Sequence, residues 1–341
     1  MSTMRAAVLI KPGHFEIEDR PRPDPGPDEA LIRIARTGIC GTDIHIFHGH
    51  YAAESLPMIP GHEFTGHIAA LGRDVRGLTE GQPVVVDTNI GCTRCYWCRR
   101  NEILNCPDMR QMGIHMDGGF ADYIAVPARL VIAAPETTPT EVLALTEPLA
   151  CVVRAARKSQ ITFGQSVAIL GCGPIGNLHV QLMRTIGAAP IIASDVSEDR
   201  LAMARATGAD VTVLPDQMRD AVMTATAGRG ADVVIESVGN KALYAAAQGL
   251  MRKGGHLAAF GITGPDELLS LDILQTILQE NSVKGSVAGM GQDMHDALTL
   301  LTHGRIDTSA FTGAEYPLDD IQAAFDSFAD RPQDLKTQIA M

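Results

Sequence analysis

Four side chains that can bind a transition metal are spread over the first half of the chain. Cys40 lies in ICGTDIH, His62 and Glu63 are adjacent in PGHEF, and Glu147 lies in TEPL. A zinc ion that does chemistry needs a few protein ligands and one open position for a substrate oxygen. Cys40 and His62 can supply a thiolate and an imidazole, and either Glu63 or Glu147 can supply a carboxylate. Singly, such residues are more often packed or solvated than ligands, so the hypothesis depends on their joint occurrence.

Four cysteines, Cys92, Cys95, Cys98 and Cys106, form a second and denser group. Their spacing lets the chain wrap one ion, and four thiolates suit a closed, tetrahedral zinc site with a structural role. A ferredoxin-type iron–sulfur cluster is the alternative. The proline after the last cysteine favours it, but the longer gap before that cysteine does not match the bacterial ferredoxin spacing. The net charge of −12 argues against a zinc ribbon that binds nucleic acid. We predict a structural zinc ion in a lobe over residues 90–107.

A glycine-rich turn follows a buried hydrophobic run in the second half of the chain. Residues 166–170 predict a strand and 174–186 an amphipathic helix, with Gly171, Gly173 and Gly176 around the turn between them. In such a GxGxxG turn the first glycine allows the reversal, the second admits a pyrophosphate, and the third lets helix and strand pack closely. The free N–H groups at the helix N-terminus bind phosphates. This context predicts a dinucleotide site.

An acidic residue follows this turn at the distance that a dinucleotide site requires. Asp195 ends the next predicted strand, where a carboxylate accepts hydrogen bonds from the adenosine ribose and repels a 2′-phosphate. The sequence therefore favours NAD over NADP. Arg200 is near enough in sequence to reach the same ribose edge, and we interpret it as stacking or packing near the adenine.

The elements that must position these residues differ along the chain. Residues 1–147 contain short alternating or β-branched runs separated by Pro and Gly, which is typical of a β-rich domain with long loops. From 148 to 288, β-type runs alternate with helical patterns, which predicts βαβ units in a parallel sheet. Two further amphipathic helices lie in 289–341. The predicted fold class is α/β, with a doubly wound Rossmann sheet and a second, β-rich domain.

Composition excludes several classes of partner. The chain is 45% hydrophobic and 20% charged, and its net charge of −12 gives no positive field for nucleic acid. No apolar run approaches the roughly 18 residues of a membrane span, and none resembles a secretion signal. Clustered cysteines without a secretion signal favour metal binding over disulfides. We predict a cytoplasmic protein with a small-molecule substrate and with neither nucleic-acid nor membrane partners.

Five features occur in a fixed order: ICGTDIHIFHG, PGHEFTG, the four cysteines, the glycine-rich turn and the acidic residue after it. In this order they resemble the zinc-dependent medium-chain alcohol dehydrogenase superfamily over essentially the whole chain. The segment TEPLACVVRA is most similar to the polyol (sorbitol) and L-threonine dehydrogenase branch, which has Glu-Pro-Leu where liver-type enzymes have a cysteine ligand. The resemblance implies a GroES-like catalytic domain over 1–147, a Rossmann NAD-binding domain over 148–288, and a segment, 289–341, that rejoins the first domain. It also implies a homo-oligomer, either a dimer or a tetramer.

The resemblance also implies roles at the zinc site. Cys40, His62 and Glu63 would bind the catalytic zinc, and Glu147 would be either a direct ligand or bound through the zinc's water. Family members differ on which carboxylate contacts the metal, so both alternatives stay open. Asp43 would fix a histidine ligand in its tautomer.

Catalysis and cofactor binding are matched in the same way. Thr42 and His45 match a relay that removes the carbinol proton through a hydroxyl, a ribose hydroxyl and an imidazole while a hydride leaves for the nicotinamide. Besides the three glycines, the positions matched to cofactor contacts are Ile175, Asp195, Arg200, Val238, Gly261 and Ile262. For the last three, an ordinary turn would use the same residues.

These expectations predict an enzyme with two zinc ions per subunit that moves a hydride between NAD and a secondary alcohol of a polyol, sugar alcohol or sugar acid. The loop 113–120 is loosely similar to polyol and sugar-acid enzymes, and His115 and Asp117 in it either bind hydroxyls or form a turn. L-threonine 3-dehydrogenase is the alternative within the class. A non-catalytic zinc- and nucleotide-binding protein of the same fold is the alternative outside it.

Overall fold

The computed structural model describes residues 2–341 except 265, 312 and 329–334. Contacts divide the chain into two compact units, which we call unit 1 and unit 2. Unit 1 comprises Met1–Ala150, Met290–His303 and Thr308–Met341. Unit 2 comprises Cys151–Gly289 and Gly304–Asp307. Most of the chain after residue 289 therefore packs with the N-terminal part.

The strands are numbered β1 to β17 and the helices α1 to α11 in chain order. The strands are β1 (Thr3–Lys11), β2 (His14–Pro21), β3 (Glu29–Gly38), β4 (Glu63–Leu71), β5 (Pro83–Val86), β6 (Asn89–Ile90), β7 (Arg110–Gln111), β8 (Tyr123–Pro127), β9 (Val131–Ala133), β10 (Val167–Leu170), β11 (Ile191–Ser194), β12 (Val211–Val213), β13 (Ala231–Glu236), β14 (Met251–Ala259), β15 (Ser282–Gly285), β16 (Ala314–Pro317) and β17 (Thr337–Ala340). The helices are α1 (Gly41–Phe47), α2 (Tyr96–Arg99), α3 (Thr140–Leu143), α4 (Thr146–Ser159), α5 (Pro174–Ile186), α6 (Glu198–Thr207), α7 (Met218–Ala225), α8 (Lys241–Gln248), α9 (Ile273–Gln279), α10 (Gln292–Thr302) and α11 (Ile321–Asp326). In the described part of the chain, every helix is too short or too polar to cross a lipid bilayer.

The main sheet of unit 1 positions the metal-ligating residues. Within the described residues its strand order is β16-β17-β3-β4-β5-β9, and β8 also pairs with β3. Strands β3 and β4 pair antiparallel, with Gly38 opposite Glu63. Strand β17, near the end of the chain, pairs antiparallel with β3 on its other side. Alternate residues of β3 enter one hydrophobic core, as the two-residue period of a strand requires: Ala30, Ile32 and Ile34.

The sheet of unit 2 is parallel. Its described strands have the order β12-β11-β10-β13-β14-β15, which is the 3-2-1-4-5-6 order of a doubly wound Rossmann sheet. Strands β10 and β11 are buried along their whole length, so they are continuous apolar runs rather than alternating patterns. Helix α5 begins at Pro174 and ends before Gly187, whose φ of 86° is left-handed. The predicted fold class, a doubly wound α/β sheet and a separate β-rich domain, is confirmed.

Candidate functional site

Three potential zinc ligands converge where β3 leads into α1 and β4 begins. Cys40 is the N-cap of α1, and its backbone N–H donates to the Asp43 carboxylate at 2.8 Å. His62 and Glu63 lie at the start of β4 and are 4% and 0% exposed. The ligand atoms of Cys40, His62 and Glu63 lie within 4.8 Å of one another. Glu147 is buried in the first turn of α4 and is not part of this group.

Asp43 orients one of these ligands. Its Oδ1 lies 3.3 Å from Nδ1 of His62, and the carboxylate is fully buried. Burial alone would lower the pKa of His62, but the charge of Asp43, its hydrogen bond and the Cys40 thiolate together raise that pKa well above its ordinary value. With Nδ1 facing a carboxylate, the Nε2 atom is left to bind a metal.

Lys336, directly before β17, also belongs to the site. No motif in the sequence indicates this role. Its ammonium forms an ion pair with Oε2 of Glu63, and both side chains are almost completely buried. A buried charge is tolerated only when it is paired, so each of these two groups requires the other. Position 38 has no room for a side chain, because a Cβ there would overlap the Glu63 carboxylate and the methylene chain of Lys336. The Glu63–Lys336 ion pair therefore requires glycine at position 38.

The donor set fits a zinc ion. A thiolate, an imidazole and a carboxylate are the ligand types that zinc accepts, and three protein ligands leave a position open for a substrate oxygen. Oε1 of Glu63 is buried and has no hydrogen-bond partner among the described residues. A buried carboxylate oxygen left in this state is costly unless a cation is present. When zinc is bound, it would therefore be held by Cys40, His62 and this oxygen of Glu63.

The four cysteines of the lobe form a second group of donors. The Sγ atoms of Cys92, Cys95, Cys98 and Cys106 lie within 4.8 Å of one another, and those of Cys92 and Cys98 are 4.0 Å apart. Zinc–sulfur bonds of about 2.3 Å in a tetrahedron require sulfurs roughly 3.8 Å apart. Backbone N–H groups lower the pKa of Cys92 to about 6, whereas burial and the neighbouring thiols raise that of Cys98 to about 12. Four thiols this close cannot all ionise without a cation, which zinc would provide.

The two residues matched to the proton relay lie on α1. Thr42 is half-buried and His45 is exposed. Since they are three residues apart on one helix, they share a face. The structure thus places Thr42 two residues after the candidate ligand Cys40, and an imidazole at the solvent.

The glycine-rich turn joins β10 to α5. Gly171 has a φ of 95°, in the left-handed region, and a Cβ on Gly176 would overlap the carbonyl oxygen of Gly171. By contrast, a Cβ on Gly173 would meet only Nη1 of Arg200, at 3.9 Å. Asp195 accepts hydrogen bonds from the backbone N–H groups of Cys172 at 2.8 Å and Ser197 at 2.9 Å. The carboxylate therefore fixes the turn, and the Arg200 guanidinium lies beside the second glycine of the turn.

The remaining cofactor candidates follow β13 and β14, which are neighbours in the parallel sheet. Glu236 accepts hydrogen bonds from the N–H groups of Val238 and Gly239, and a Cβ on Gly261 would overlap this carboxylate and the backbone of Gly239. Val238 and Ile262 are exposed. These segments meet the glycine-rich turn at the carboxyl edge of the sheet, where doubly wound folds bind dinucleotides. Ile175 lies in the first turn of α5, directly after this turn.

The loop 113–120 is held by its own polar residues. Asp117 accepts a hydrogen bond from the N–H of Ile59 at 3.0 Å, and Nδ1 of His115 lies 3.1 Å from the N–H of Gln111. Both side chains accept hydrogen bonds from backbone N–H groups, as residues that stabilise a turn do.

Comparisons with known proteins agree with this architecture. A family model described as an alcohol dehydrogenase GroES-like domain matches residues 26–136, and one described as a zinc-binding dehydrogenase matches residues 174–303. The chain is 34% identical over 320 residues to a sorbitol dehydrogenase of Halalkalibacterium halodurans, covering 92% of each protein. It is 33% identical to an L-threonine 3-dehydrogenase of Symbiobacterium thermophilum, covering 95% of this chain and 94% of the relative. Among solved structures, a zinc-binding dehydrogenase from Sinorhizobium meliloti bound to NADP has a TM-score of 0.91 and 31% identity, with full coverage of both chains.

Proposed function

This chain belongs to the zinc-binding alcohol dehydrogenase family with a GroES-like domain and is an oxidoreductase of that type, and we propose that it oxidises a secondary alcohol of a polyol, sugar alcohol or sugar acid with NAD. The group formed by half-buried Cys40 with buried His62 and Glu63 carries this proposal. The similarity to a sorbitol dehydrogenase supports the polyol class. The similarity to an L-threonine 3-dehydrogenase makes L-threonine the second candidate substrate.

The chain's own residues would each take one task. Zinc, when bound, would act as a Lewis acid that lowers the pKa of the substrate hydroxyl. Thr42 would take up the carbinol proton while its own hydroxyl proton passes on towards His45 and then to water, as the hydride leaves for the nicotinamide. Asp43 orients His62, and Lys336 balances the charge of Glu63. The four-cysteine lobe would hold the second zinc ion, without an open position for substrate.

A substrate panel tests this proposal. NADH absorbance is followed with polyols, aldonates, L-threonine and simple alcohols, each with NAD and with NADP. We expect the highest kcat/KM for a polyol or aldonate with NAD. A higher value for L-threonine would support the second candidate, and failure of every alcohol with both cofactors would support a non-catalytic binding protein.

The proposal includes a homo-oligomer. Helix α9 exposes four large apolar side chains, each at least 60% exposed: Ile273, Leu274, Ile277 and Leu278. Strand β15 lies at the edge of the parallel sheet, and its residues are exposed. Apolar patches and unpaired strand edges of this kind are normally covered. A second copy related by a two-fold axis can cover both at once, because β15 can pair antiparallel with itself.

The proposed location is the cytoplasm. Both candidate zinc sites require ionised, reduced cysteines, and all seven cysteines of the chain are free thiols in the structure. A reducing compartment keeps them available to a metal.

A further inference from the structure

Three histidines lie together where α1 ends. His45, His48 and His50 are all exposed. The ring centroids of His45 and His50 are 6.4 Å apart, and those of His48 and His50 are 5.8 Å apart. Within the described residues, none of the three imidazoles makes a hydrogen bond or an ion pair. Their ring nitrogens are therefore available to a ligand from solvent.

The helix end explains this grouping. The N–H of His50 donates to the carbonyl of His45 at 2.8 Å, and the N–H of Gly49 donates to that of Ile46 at 2.9 Å. With Gly49 at a φ of 73°, these are the two bonds of a Schellman motif. This motif brings the third-last helical residue and the second residue after the cap side by side, a contact that is usually hydrophobic. Here both positions are histidine, and the cap residue His48 lies between them.

The backbone of this turn is fixed by the rest of unit 1. The N–H of Gly13, between β1 and β2, donates to the carbonyl of Phe47 at 2.7 Å. A Cβ on Gly49 would lie 2.8 Å from Cγ of Pro12, so the turn packs directly on this hairpin. The histidine backbones are thus held in place, and only side-chain torsions have to change when a ligand binds.

A divalent transition metal matches these groups. Imidazole suits zinc, nickel and copper. Three imidazoles on one zinc ion, with zinc–nitrogen bonds of about 2.0 Å, have ring centroids roughly 5 Å apart. The His45–His50 and His48–His50 separations exceed this by about 1 Å, a distance that rotation about the side-chain torsions covers.

We propose that His45, His48 and His50 form a third divalent-metal site, distinct from the two zinc sites of the proposed function. An ion bound there occupies the imidazole of His45, through which the relay proton would leave. Excess zinc therefore inhibits turnover reversibly. The inhibition rests on the proposed function, whereas the binding does not.

Equilibrium dialysis of the tag-free protein against Zn²⁺ in a non-chelating buffer tests the binding. We expect wild type to bind one equivalent more than the two predicted sites account for, and the double variant H48Q/H50Q to lose that equivalent. The control H295Q/H303Q removes two exposed histidines at α10 and should keep it. Absence of the extra equivalent in wild type, or its retention in H48Q/H50Q, overturns the site.

Turnover measured across the same zinc concentrations tests the inhibition. We expect zinc to slow wild type and H295Q/H303Q, but to leave H48Q/H50Q at its uninhibited rate. Equal inhibition of all three proteins would overturn the effect on His45. If no alcohol is oxidised, the proposed function fails, and the dialysis result still decides the metal site.

Discussion

At the scale of single residues, the candidate zinc site is a set of buried charges that depend on one another. Glu63 and Asp43 bring carboxylates into the interior, and Lys336 and His62 face them. Removing one member of a buried pair leaves an uncompensated charge, whereas replacing both members is far less costly. Lys336 is therefore a positioning residue that acts through Glu63.

Replacing this lysine should destabilise the protein. We expect Lys336→Met to lower the free energy of unfolding by about 3–5 kcal/mol, because the Glu63 carboxylate is left buried and unpaired. Urea denaturation measures the change. Adding Glu63→Gln to this variant should recover part of the loss, and Lys253→Met, at an exposed lysine, is the control. Wild-type stability of Lys336→Met would contradict the buried pair.

Asp195 tests cofactor choice at the same scale. Asp195→Asn keeps an oxygen that can accept a hydrogen bond from the N–H of Cys172 or Ser197, but it removes the negative charge. We expect the ratio of kcat/KM for NAD to that for NADP to fall by about tenfold, or about 1.4 kcal/mol, because a 2′-phosphate is no longer repelled. Asp199→Asn, on the exposed side of α6, should leave the ratio unchanged. An equal ratio in all three proteins would remove Asp195 from cofactor selection.

At the scale of elements, turns decide what the sheets and helices can bind. The β10–α5 turn contains two glycines that the fold itself needs, Gly171 and Gly176, and one whose Cβ would meet no atom closer than 3.9 Å, Gly173. The free space at Gly173 is the space that a pyrophosphate approaching the backbone would take. The lobe of four cysteines is a different case, because α2 with four residues has too few hydrogen bonds to stand alone.

A methyl group at Gly173 should separate folding from cofactor binding. Gly173→Ala is expected to keep the wild-type melting temperature while the Kd for NADH rises by at least about tenfold. Gly176→Ala should instead lower the melting temperature, since its Cβ has no space. Fluorescence titration and thermal melting give the two readouts. Unchanged NADH affinity in Gly173→Ala would place the pyrophosphate elsewhere.

The two proposed zinc sites should differ in what a cysteine substitution disrupts, stability in one case and turnover in the other. Cys98→Ser is expected to bind one zinc ion per chain fewer than wild type and to melt at a lower temperature, because the lobe loses its tetrahedral ion. Cys40→Ser should also lose one zinc ion, yet it should abolish turnover while leaving NADH binding intact. Metal content, melting curves and kinetics are measured for both. A normal melting temperature for Cys98→Ser, or activity in Cys40→Ser, would contradict the respective assignment.

At the scale of the whole molecule, the net charge disfavours one class of partner, whereas an exposed apolar patch favours another. The net charge of −12 disfavours polyanions and keeps the surface soluble. The exposed face of α9 and the β15 edge are the exception, and in the proposed homo-oligomer a second copy of the chain would cover both.

Charging the α9 face should dissociate this oligomer. We expect Leu274→Glu/Ile277→Glu to sediment as a monomer, since two buried carboxylates per subunit cannot be paired across the interface. Phe163→Glu, at an 83% exposed residue outside α9 and β15, should keep the wild-type state. Analytical ultracentrifugation at matched concentrations is the measurement. An unchanged oligomer in the α9 variant, or a monomeric wild type, would exclude this interface.

The sequence by itself determined the features whose chemistry is local. The spacing of Cys92 to Cys106, the glycines of the β10–α5 turn and the alternation of strands with helices after residue 148 each depend on neighbours along the chain. They predicted the α/β class, the donor types and the dinucleotide turn because a metal or a phosphate requires those residue types at short spacing.

Only the tertiary structure decided which distant residues share a site. Antiparallel pairing of β17 with β3 brings Lys336 to Glu63, and the register of β3 with β4 puts Gly38 opposite that carboxylate. Of the two candidate carboxylates, the structure groups Glu63 with Cys40 and His62. No local pattern encodes these contacts, because they follow from strand order and register, which are set by burial over the whole sheet.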